Sequence, residues 1–259
     1  MEHIIREIAH ELLEAERSCR PVEPITARYT DLQVEDAYRI QLEILGTKLE
    51  SGKTVIGKKV GLTSRAMQDM LGVNEPDYGH LLNDMVISNN GDASVNRLLL
   101  PKVEAEIGFL LREDLSGPNV NYLDVLMATE YVVPTLEIID SRIKDWKIKL
   151  VDTVADNGSS ALVVVGDQKS SLDGLDLRTV GMALYVNGAQ AGNGAGAAAL
   201  GHPAHAVAWL ANKLHEFGIG LKAGELILPG ALSGAVAVKQ GDKVTAEFGH
   251  IGSVSVTFR

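Results

Sequence analysis

The 259-residue sequence has only one cysteine, Cys19, so the chain cannot form an internal disulfide bond. Such cysteine use is typical of proteins from reducing compartments. No apolar run approaches the roughly 20 residues that a membrane-spanning helix requires, and the first residues lack the basic-then-apolar pattern of a secretory signal. These absences predict a cytoplasmic protein that does not cross a membrane.

Basic residues are also scarce. Lysine and arginine total 24 against 34 aspartates and glutamates, which leaves a formal net charge of −10. Nucleic-acid binding requires a basic face, and anionic membrane surfaces attract basic segments. The charge balance therefore argues against both kinds of partner and directs attention to small molecules.

The segment Pro101–Leu111 alternates between apolar and acidic side chains. Because strand side chains repeat every two residues, Glu104 and Glu106 would share one face and the apolar residues the other. A third acid, Glu137, lies in a second apolar run, Tyr131–Ile139. Carboxylates on apolar strands favour a hard divalent cation, Mg²⁺ or Mn²⁺ rather than Zn²⁺. The ordinary alternative is an amphipathic strand whose two glutamates face water.

The chain before these strands is mainly helical in pattern. Apolar stripes predict helices over residues 2–16 and 34–49. Residues 54–61 follow as a strand carrying Lys58 and Lys59, for which an edge strand with both lysines in solvent is the ordinary interpretation. A short helix is expected over 65–71. We therefore divide the chain into an N-terminal helical cap, residues 1–70, packed on a β-rich catalytic core, residues 71–259.

Further along the chain, Asp152–Ser160 reads as a polar loop that leads into a buried strand. Pro203 and Gly218 bracket a helix between them. Two alternating strands, Val244–Phe248 and Ser253–Phe258, complete the pattern. Helices and mixed strands in this order predict an α+β fold.

Six segments together resemble the hydratase/decarboxylase branch of the fumarylacetoacetate hydrolase superfamily, in order and over nearly the whole chain. They are Gly57–Ser64, Glu75–Gly79, Pro101–Glu106, Leu136–Arg142, Val151–Asn157 and Leu200–Pro203. The resemblance implies a mixed β-sandwich roll with an N-terminal helical region. It also implies a Mg²⁺- or Mn²⁺-dependent lyase of meta-cleavage aromatic degradation that forms a homo-oligomer.

The resemblance assigns roles to individual residues. Glu104, Glu106 and Glu137 match the metal ligands, and Lys59 rather than Lys58 matches the active-site lysine. Asp77 matches a catalytic position, which we expect to position a water molecule. In addition, Ser160 and Leu62 are implied to contact the substrate. A desolvated lysine beside a metal should have a lowered pKa.

Within this branch the sequence most resembles enzymes that hydrate 2-hydroxypenta-2,4-dienoate to 4-hydroxy-2-oxopentanoate. The segment 141–148 and the helix over 207–212 favour that activity. The alternative is decarboxylation of 4-oxalocrotonate (2-oxo-3-hexenedioate), because both reactions use one electron sink. A non-catalytic oxo-acid binding protein on the same fold is a further alternative. A complex with a neighbouring pathway enzyme is a further expectation. A C–C bond hydrolase would require a His–Glu dyad near the N-terminus, for which His3 and His10 on the first helix are poor candidates.

Overall fold

The computed structural model describes residues 1–64, 68–69 and 73–259. The α-helices in these ranges are α1 (Glu2–Ser18), α2 (Ile25–Arg28), α3 (Val34–Glu50), α4 (Tyr122–Ala128), α5 (Leu150–Ala155) and α6 (Pro203–His215). Most of the predicted helix over 65–71 lies outside the described residues. None of the helices within the described ranges is long and apolar enough to span a membrane.

The N-terminal helices confirm the periodicity argument to within two residues. Helix α1 buries Ile5, Ile8 and Leu12 and packs against α3. The first turn of α3 is capped, because the Gln33 backbone N–H donates to Asp36 Oδ2 at 3.2 Å. Helix α3 in turn packs against α5. The amphipathic stripes therefore pack α1 on α3, and α3 on the segment that was predicted to be a polar loop.

That loop prediction is wrong for its first half, which forms α5. The backbone N–H of Lys149 donates to Asp152 Oδ2 at 2.9 Å, which caps the helix start. Asp152 also accepts from Thr26 Oγ1 at 2.8 Å. Its polarity therefore reflects capping and a tertiary hydrogen bond instead of exposure to solvent.

The strands form two sheets. They are β1 (Val55–Gly61), β2 (Asp77–Leu82), β3 (Val86–Ser88), β4 (Gly91–Ala93), β5 (Lys102–Leu111), β6 (Thr129–Ile139), β7 (Ser160–Val165), β8 (Gly181–Val186), β9 (Ala189–Ala195), β10 (Leu226–Leu228), β11 (Val236–Ala237), β12 (Lys243–Phe248) and β13 (Gly252–Phe258). The larger sheet has the order β2-β1-β10-β5-β6-β7-β3, with β11 beside β5, and the smaller has the order β4-β13-β12-β8-β9.

The two sheets pack face to face around a common core. Strands β12 and β13 contact β6, and β13 also contacts β7. Val244 and Val256 from the smaller sheet are buried with Leu136 and Ile138 from the larger one. Most neighbouring strands are antiparallel, whereas β1–β10, β3–β7 and β4–β13 are parallel. This arrangement confirms the predicted α+β mixed sandwich with an N-terminal helical region.

Strand β1 lies inside the larger sheet, between β2 and β10. The edge-strand interpretation of Lys58 and Lys59 is therefore wrong, and both side chains are buried on opposite faces. Although β1 precedes residue 70, it belongs by pairing to the β-rich core. The division of the chain at residue 70 itself stays a prediction.

Candidate metal centre and substrate pocket

Strand register brings the three predicted metal ligands together. Glu104 on β5 pairs directly with Glu137 on β6, and Glu106 follows two residues later on the same face of β5. One carboxylate oxygen from each residue lies within 4.8 Å of the other two. Glu106 and Glu137 are fully buried, and Glu104 is half-buried. The alternative in which both strand glutamates face water is wrong for Glu106, and Glu104 borders a cavity.

The three carboxylates lack the partners that buried charges normally require. Glu106 Oε2 accepts from the Gly230 backbone N–H at 2.7 Å, but Glu106 Oε1 and both oxygens of Glu137 have no hydrogen-bond partner among the described residues. Burial, and then the neighbouring Glu137, raises the pKa of Glu104 to about 7. Burial and the other two carboxylates likewise raise the pKa of Glu106 well above its usual range. Like charges this close cannot all ionise without a cation.

A divalent cation fits this set of donors. One carboxylate oxygen of each glutamate lies within 4.8 Å of the other two, and three oxygens of Glu106 and Glu137 have no hydrogen-bond partner among the described residues. Hard carboxylate oxygens are the ligands that Mg²⁺ and Mn²⁺ prefer. Three ligands on one side also leave room in a coordination sphere of about six for a bidentate substrate. The residues present therefore match the expected metal by both number and chemistry.

Lys59 adjoins this cluster. Its Nζ lies 3.6 Å from Glu137 Oε2 and donates to the Gly158 carbonyl oxygen at 3.0 Å. Burial lowers the pKa of Lys59, but attraction from the surrounding carboxylates, Glu137 foremost, outweighs it and raises that pKa above its ordinary value. The expected lowering of the Lys59 pKa concerns a lysine beside a bound metal ion, so it stays a prediction. The side chain is a buried ammonium.

Asp77 stands at the start of β2, opposite Gly61 at the end of β1. Its Oδ2 accepts from Thr153 Oγ1 at 3.2 Å, whereas its Oδ1 has no hydrogen-bond partner among the residues described. A Cβ on Gly61 would collide with Asp77 Oδ1 and approach Lys59 Nζ. Position 61 thus requires glycine, and the carboxylate beside it presents a free oxygen next to the lysine.

A cavity of about 430 Å³ opens beside these groups. Lys59, Asp77, Glu104 and Leu62 line it. Leu62 has φ = 56°, a left-handed conformation that costs a leucine of order 1–3 kcal/mol and often marks functional sites. Ser160 is buried, and its Oγ has no hydrogen-bond partner within the described chain. The structure thus brings all seven predicted site residues to one region, and their individual roles remain proposals.

Backbone groups that carry no side-chain signature also shape the site. The Gly230 N–H and the Gly158 carbonyl contact Glu106 and Lys59. Asn157, Gly158 and Ser159 have φ values of 56°, 59° and 55° in succession. The Asn-Gly pair is a turn signal, but it does not reveal that the turn presents a carbonyl to a lysine.

A buried arginine holds that turn. Arg142 Nε donates to Asp156 Oδ1 at 2.5 Å, and its Nη atoms donate to the carbonyl oxygens of Asp140, Asp156 and Ser160. The arginine therefore joins the end of β6, which carries Glu137, to the start of β7. Arg142 belongs to one of the segments that resemble the superfamily, yet its structural role was not predicted.

Comparison with known proteins agrees with this geometry. The fumarylacetoacetate (FAA) hydrolase C-terminal family model matches residues 59–259. A 2-hydroxyhexa-2,4-dienoate hydratase of Comamonas testosteroni is 47% identical over 249 residues, which cover 95% of this chain and 94% of that protein. A 2-hydroxypent-2,4-dienoate hydratase of Pseudomonas putida is 51% identical over 218 residues, which cover 83% of this chain and 98% of that protein.

A solved structure gives a matching result for the fold. The 4-oxalocrotonate decarboxylase from Pseudomonas putida G7, complexed with magnesium and adipate, superimposes with a TM-score of 0.98 at 37% sequence identity. The match covers 100% of this chain and 98% of that one. The sheet order, the acidic cluster and the matches over most of the sequence agree, and the chain belongs to the FAA hydrolase family.

Proposed function

We propose that this protein is a Mg²⁺- or Mn²⁺-dependent lyase that hydrates 2-hydroxypenta-2,4-dienoate to 4-hydroxy-2-oxopentanoate in meta-cleavage aromatic degradation. The observation that carries the proposal is the cluster of Glu104, Glu106 and Glu137 at the edge of a cavity, in which oxygens of Glu106 and Glu137 lack hydrogen-bond partners within the described part of the chain. Hydratases that are 47% and 51% identical support the choice of reaction.

The three glutamates would hold the metal and leave one side of it open to the cavity. A divalent cation bound there would supply a Lewis acid beside the C1 carboxylate and C2 oxygen of a 2-oxo acid. Lys59, a buried ammonium in this setting, is suited to hold the substrate carboxylate and to stabilise negative charge on the C2 oxygen. It serves as a cation and proton donor, and the role of base falls to another residue.

The hydration divides into two proton-balanced steps. In the first, the 2-hydroxyl loses its proton and C5 gains one, which gives the conjugated 2-oxo-3-pentenoate. In the second, a water oxygen bonds to C4 and C3 gains a proton. Asp77 Oδ1, which has no hydrogen-bond partner in the described ranges and lies next to the cavity, is the candidate base that orients this water. Ser160 would donate to the substrate, and Leu62 would exclude bulk water from the diene.

Decarboxylation of 4-oxalocrotonate is the second candidate, and the structural match to a decarboxylase favours it. A decarboxylase of Pseudomonas putida is also 40% identical over 251 residues. Loss of CO₂ produces the same kind of enolate, so the same acidic cluster and lysine would serve. The difference lies in which bond breaks, and that depends on the substrate's far end.

Incubation with Mg²⁺ and each of two substrates tests the proposal. We expect 2-hydroxypenta-2,4-dienoate to lose its dienol absorbance without releasing CO₂. Stoichiometric CO₂ from 2-oxo-3-hexenedioate, with no hydration of the pentadienoate, would instead establish the decarboxylase. Metal-dependent ligand binding without turnover of either substrate would indicate an oxo-acid binding protein.

The Glu106→Gln variant tests the metal cluster itself. Loss of one buried ligand should reduce turnover by more than the 10- to 100-fold that outer-shell changes usually cost. Glu130→Gln is the matched control, because Glu130 lies on β6 with Glu137 but is exposed. Full turnover by Glu106→Gln would contradict the metal assignment.

We further propose that the protein is cytoplasmic and forms a homo-oligomer, with association with a neighbouring pathway enzyme as a further expectation. The free thiol of Cys19 supports a reducing compartment. Helix α4 exposes Leu123 and Met127, whose side chains would be covered in an oligomer. Analytical ultracentrifugation of the protein and of a Leu123→Glu/Met127→Glu variant tests this expectation.

A further inference from the structure

Two cavities in the described chain meet at a shared wall. The substrate cavity of about 430 Å³ and a second cavity of about 410 Å³ are both lined by Lys102 and Trp146. The second cavity is otherwise lined mainly by apolar side chains, among them Val95, Leu98, Leu99, Pro101 and Val238. An apolar space therefore lies directly behind one wall of the proposed substrate pocket.

The strands fix the direction from the metal cluster to this wall. Lys102 lies two residues before Glu104 on the same face of β5, a separation of about 7 Å. On β6, Ile139 pairs with Lys102 as Glu137 pairs with Glu104. A 2-oxo acid whose acidic end binds at the metal that the glutamates would hold would thus extend its chain outward, past Ile139 and toward the wall.

Trp146 is held in place from two sides. Its indole Nε1 donates to the Leu100 carbonyl oxygen at 2.9 Å, and Lys102 Nζ lies 4.1 Å from the ring centroid. Asp145 and Trp146 have φ values of 57° and 56°, so two consecutive residues adopt the left-handed conformation that non-glycine residues avoid. The fold maintains this unfavourable backbone conformation at Asp145 and Trp146, and the conformation places the indole between the two cavities.

We propose that Trp146 is a specificity-determining residue that limits the length of the substrate's far end. With the indole in place, the pocket accepts 2-hydroxydienoates with a short far end. Without it, the pocket continues into the second cavity, which accepts a longer alkyl chain. This inference rests on the proposed function, because it assumes that the acidic end binds at the glutamates.

The test compares long and short substrates within one protein. For wild type, Trp146→Ala and Trp146→Leu, kcat/KM is measured with 2-hydroxypenta-2,4-dienoate and with 2-hydroxynona-2,4-dienoate, which carries four additional carbons. We expect the long-to-short ratio to rise at least about tenfold in Trp146→Ala, because each buried methylene contributes about 0.8 kcal/mol. A ratio within one variant is insensitive to the fraction of folded protein. Trp209→Phe, on helix α6 and outside the wall, is the control and should leave the ratio unchanged.

Binding provides a readout that does not depend on turnover. Affinities for 2-oxopentanoate and 2-oxononanoate, measured by calorimetry with Mg²⁺, should shift in the same direction in Trp146→Ala. If wild type hydrates no dienoate but this binding shift occurs, the proposed function fails and the length limit stands. An unchanged ratio in both assays would overturn the inference.

Discussion

The two faces of strand β1 bury neighbouring lysines in opposite settings. On one face, Lys58 Nζ lies 2.6 Å and 2.7 Å from the two oxygens of Glu225. On the other, Lys59 Nζ lies 3.6 Å from Glu137 Oε2 and donates to a backbone carbonyl. Lys58 therefore faces one matched carboxylate, whereas Lys59 faces several acids that it cannot neutralise alone.

This difference shows that burial of a charge does not by itself mark a functional site. Lys58 and Glu225 neutralise each other. Glu225 also accepts a hydrogen bond from the Lys222 backbone N–H at 2.9 Å. Around Lys59 the carboxylates exceed the cations, and the pKa of Glu106 rises as a result of burial and of its acidic neighbours. An excess of one charge sign in a buried cluster indicates a site for a ligand of the other sign.

The largest effect should come from replacing each lysine with methionine. Lys59→Met should lower kcat about 10²- to 10⁴-fold, because the side chain that stabilises substrate charge is lost. Lys58→Met should instead lower the free energy of unfolding by about 3–5 kcal/mol, because Glu225 is left buried and uncompensated. Steady-state kinetics and urea unfolding of both variants would separate the two outcomes.

A double variant provides the control for the structural lysine. In Lys58→Met/Glu225→Gln the uncompensated charge is removed and an acceptor for the Lys222 N–H is kept, so we expect stability to recover in part. Equal losses of kcat in the two single variants, measured per folded molecule, would contradict the division of roles across β1.

The second prediction compares the same substitution, glutamate to glutamine, at Glu106 and at Glu225. Without added metal, Glu106→Gln should raise the free energy of unfolding by about 1 kcal/mol at pH 8, because one of three crowded carboxylates is removed. The folded-state pKa of Glu106 is raised, so its ionisation destabilises wild type progressively as pH rises above the unfolded value. Glu225→Gln should lower stability, since it breaks the pair with Lys58.

Added Mg²⁺ sharpens this second comparison. A ligand that binds only the folded state adds about 2.7 kcal/mol at 100 times its Kd. Wild type and Glu225→Gln should gain stability with Mg²⁺, and Glu106→Gln should gain little. If Mg²⁺ stabilised all three proteins equally, the ion would be binding elsewhere.

Local patterns in the sequence predicted the acidic cluster beside Lys59 well. Alternation along β5 placed Glu104 and Glu106 on one face, because the two-residue period holds for any strand. The stripes of α1 and α3 predicted their bounds within two residues, because apolar residues on one helix face recur with the 3.6-residue period. Resemblance to known proteins, and not the pattern itself, then separated Lys59 from Lys58.

The pairing of Lys58 with Glu225 depends on contacts between distant parts of the chain. Gly57 pairs with Leu226 in the β1–β10 register, which brings Glu225 to Lys58 across more than half of the sequence. No local period encodes that pairing. Backbone donors and acceptors such as the Gly230 N–H and the Gly158 carbonyl are equally invisible in residue types, and so is the strained turn that places Trp146 between two cavities.

The last prediction concerns His80 on β2, which pairs in register with Lys58 and therefore lies on the same face of the sheet. Burial, and then the Lys58 charge, lowers the pKa of His80 to about 3. The unfolded value is about 6.5, so the neutral imidazole contributes stability that is complete above pH 6.5 and is lost as pH falls toward 3. The slope from this group alone is at most about 1.4 kcal/mol per pH unit. His80→Gln should flatten the acid limb of stability measured by urea unfolding between pH 6.5 and 4.5, and His250→Gln, at an exposed position, should not. An identical limb in wild type and His80→Gln would show that burial and the Lys58 charge do not hold His80 neutral.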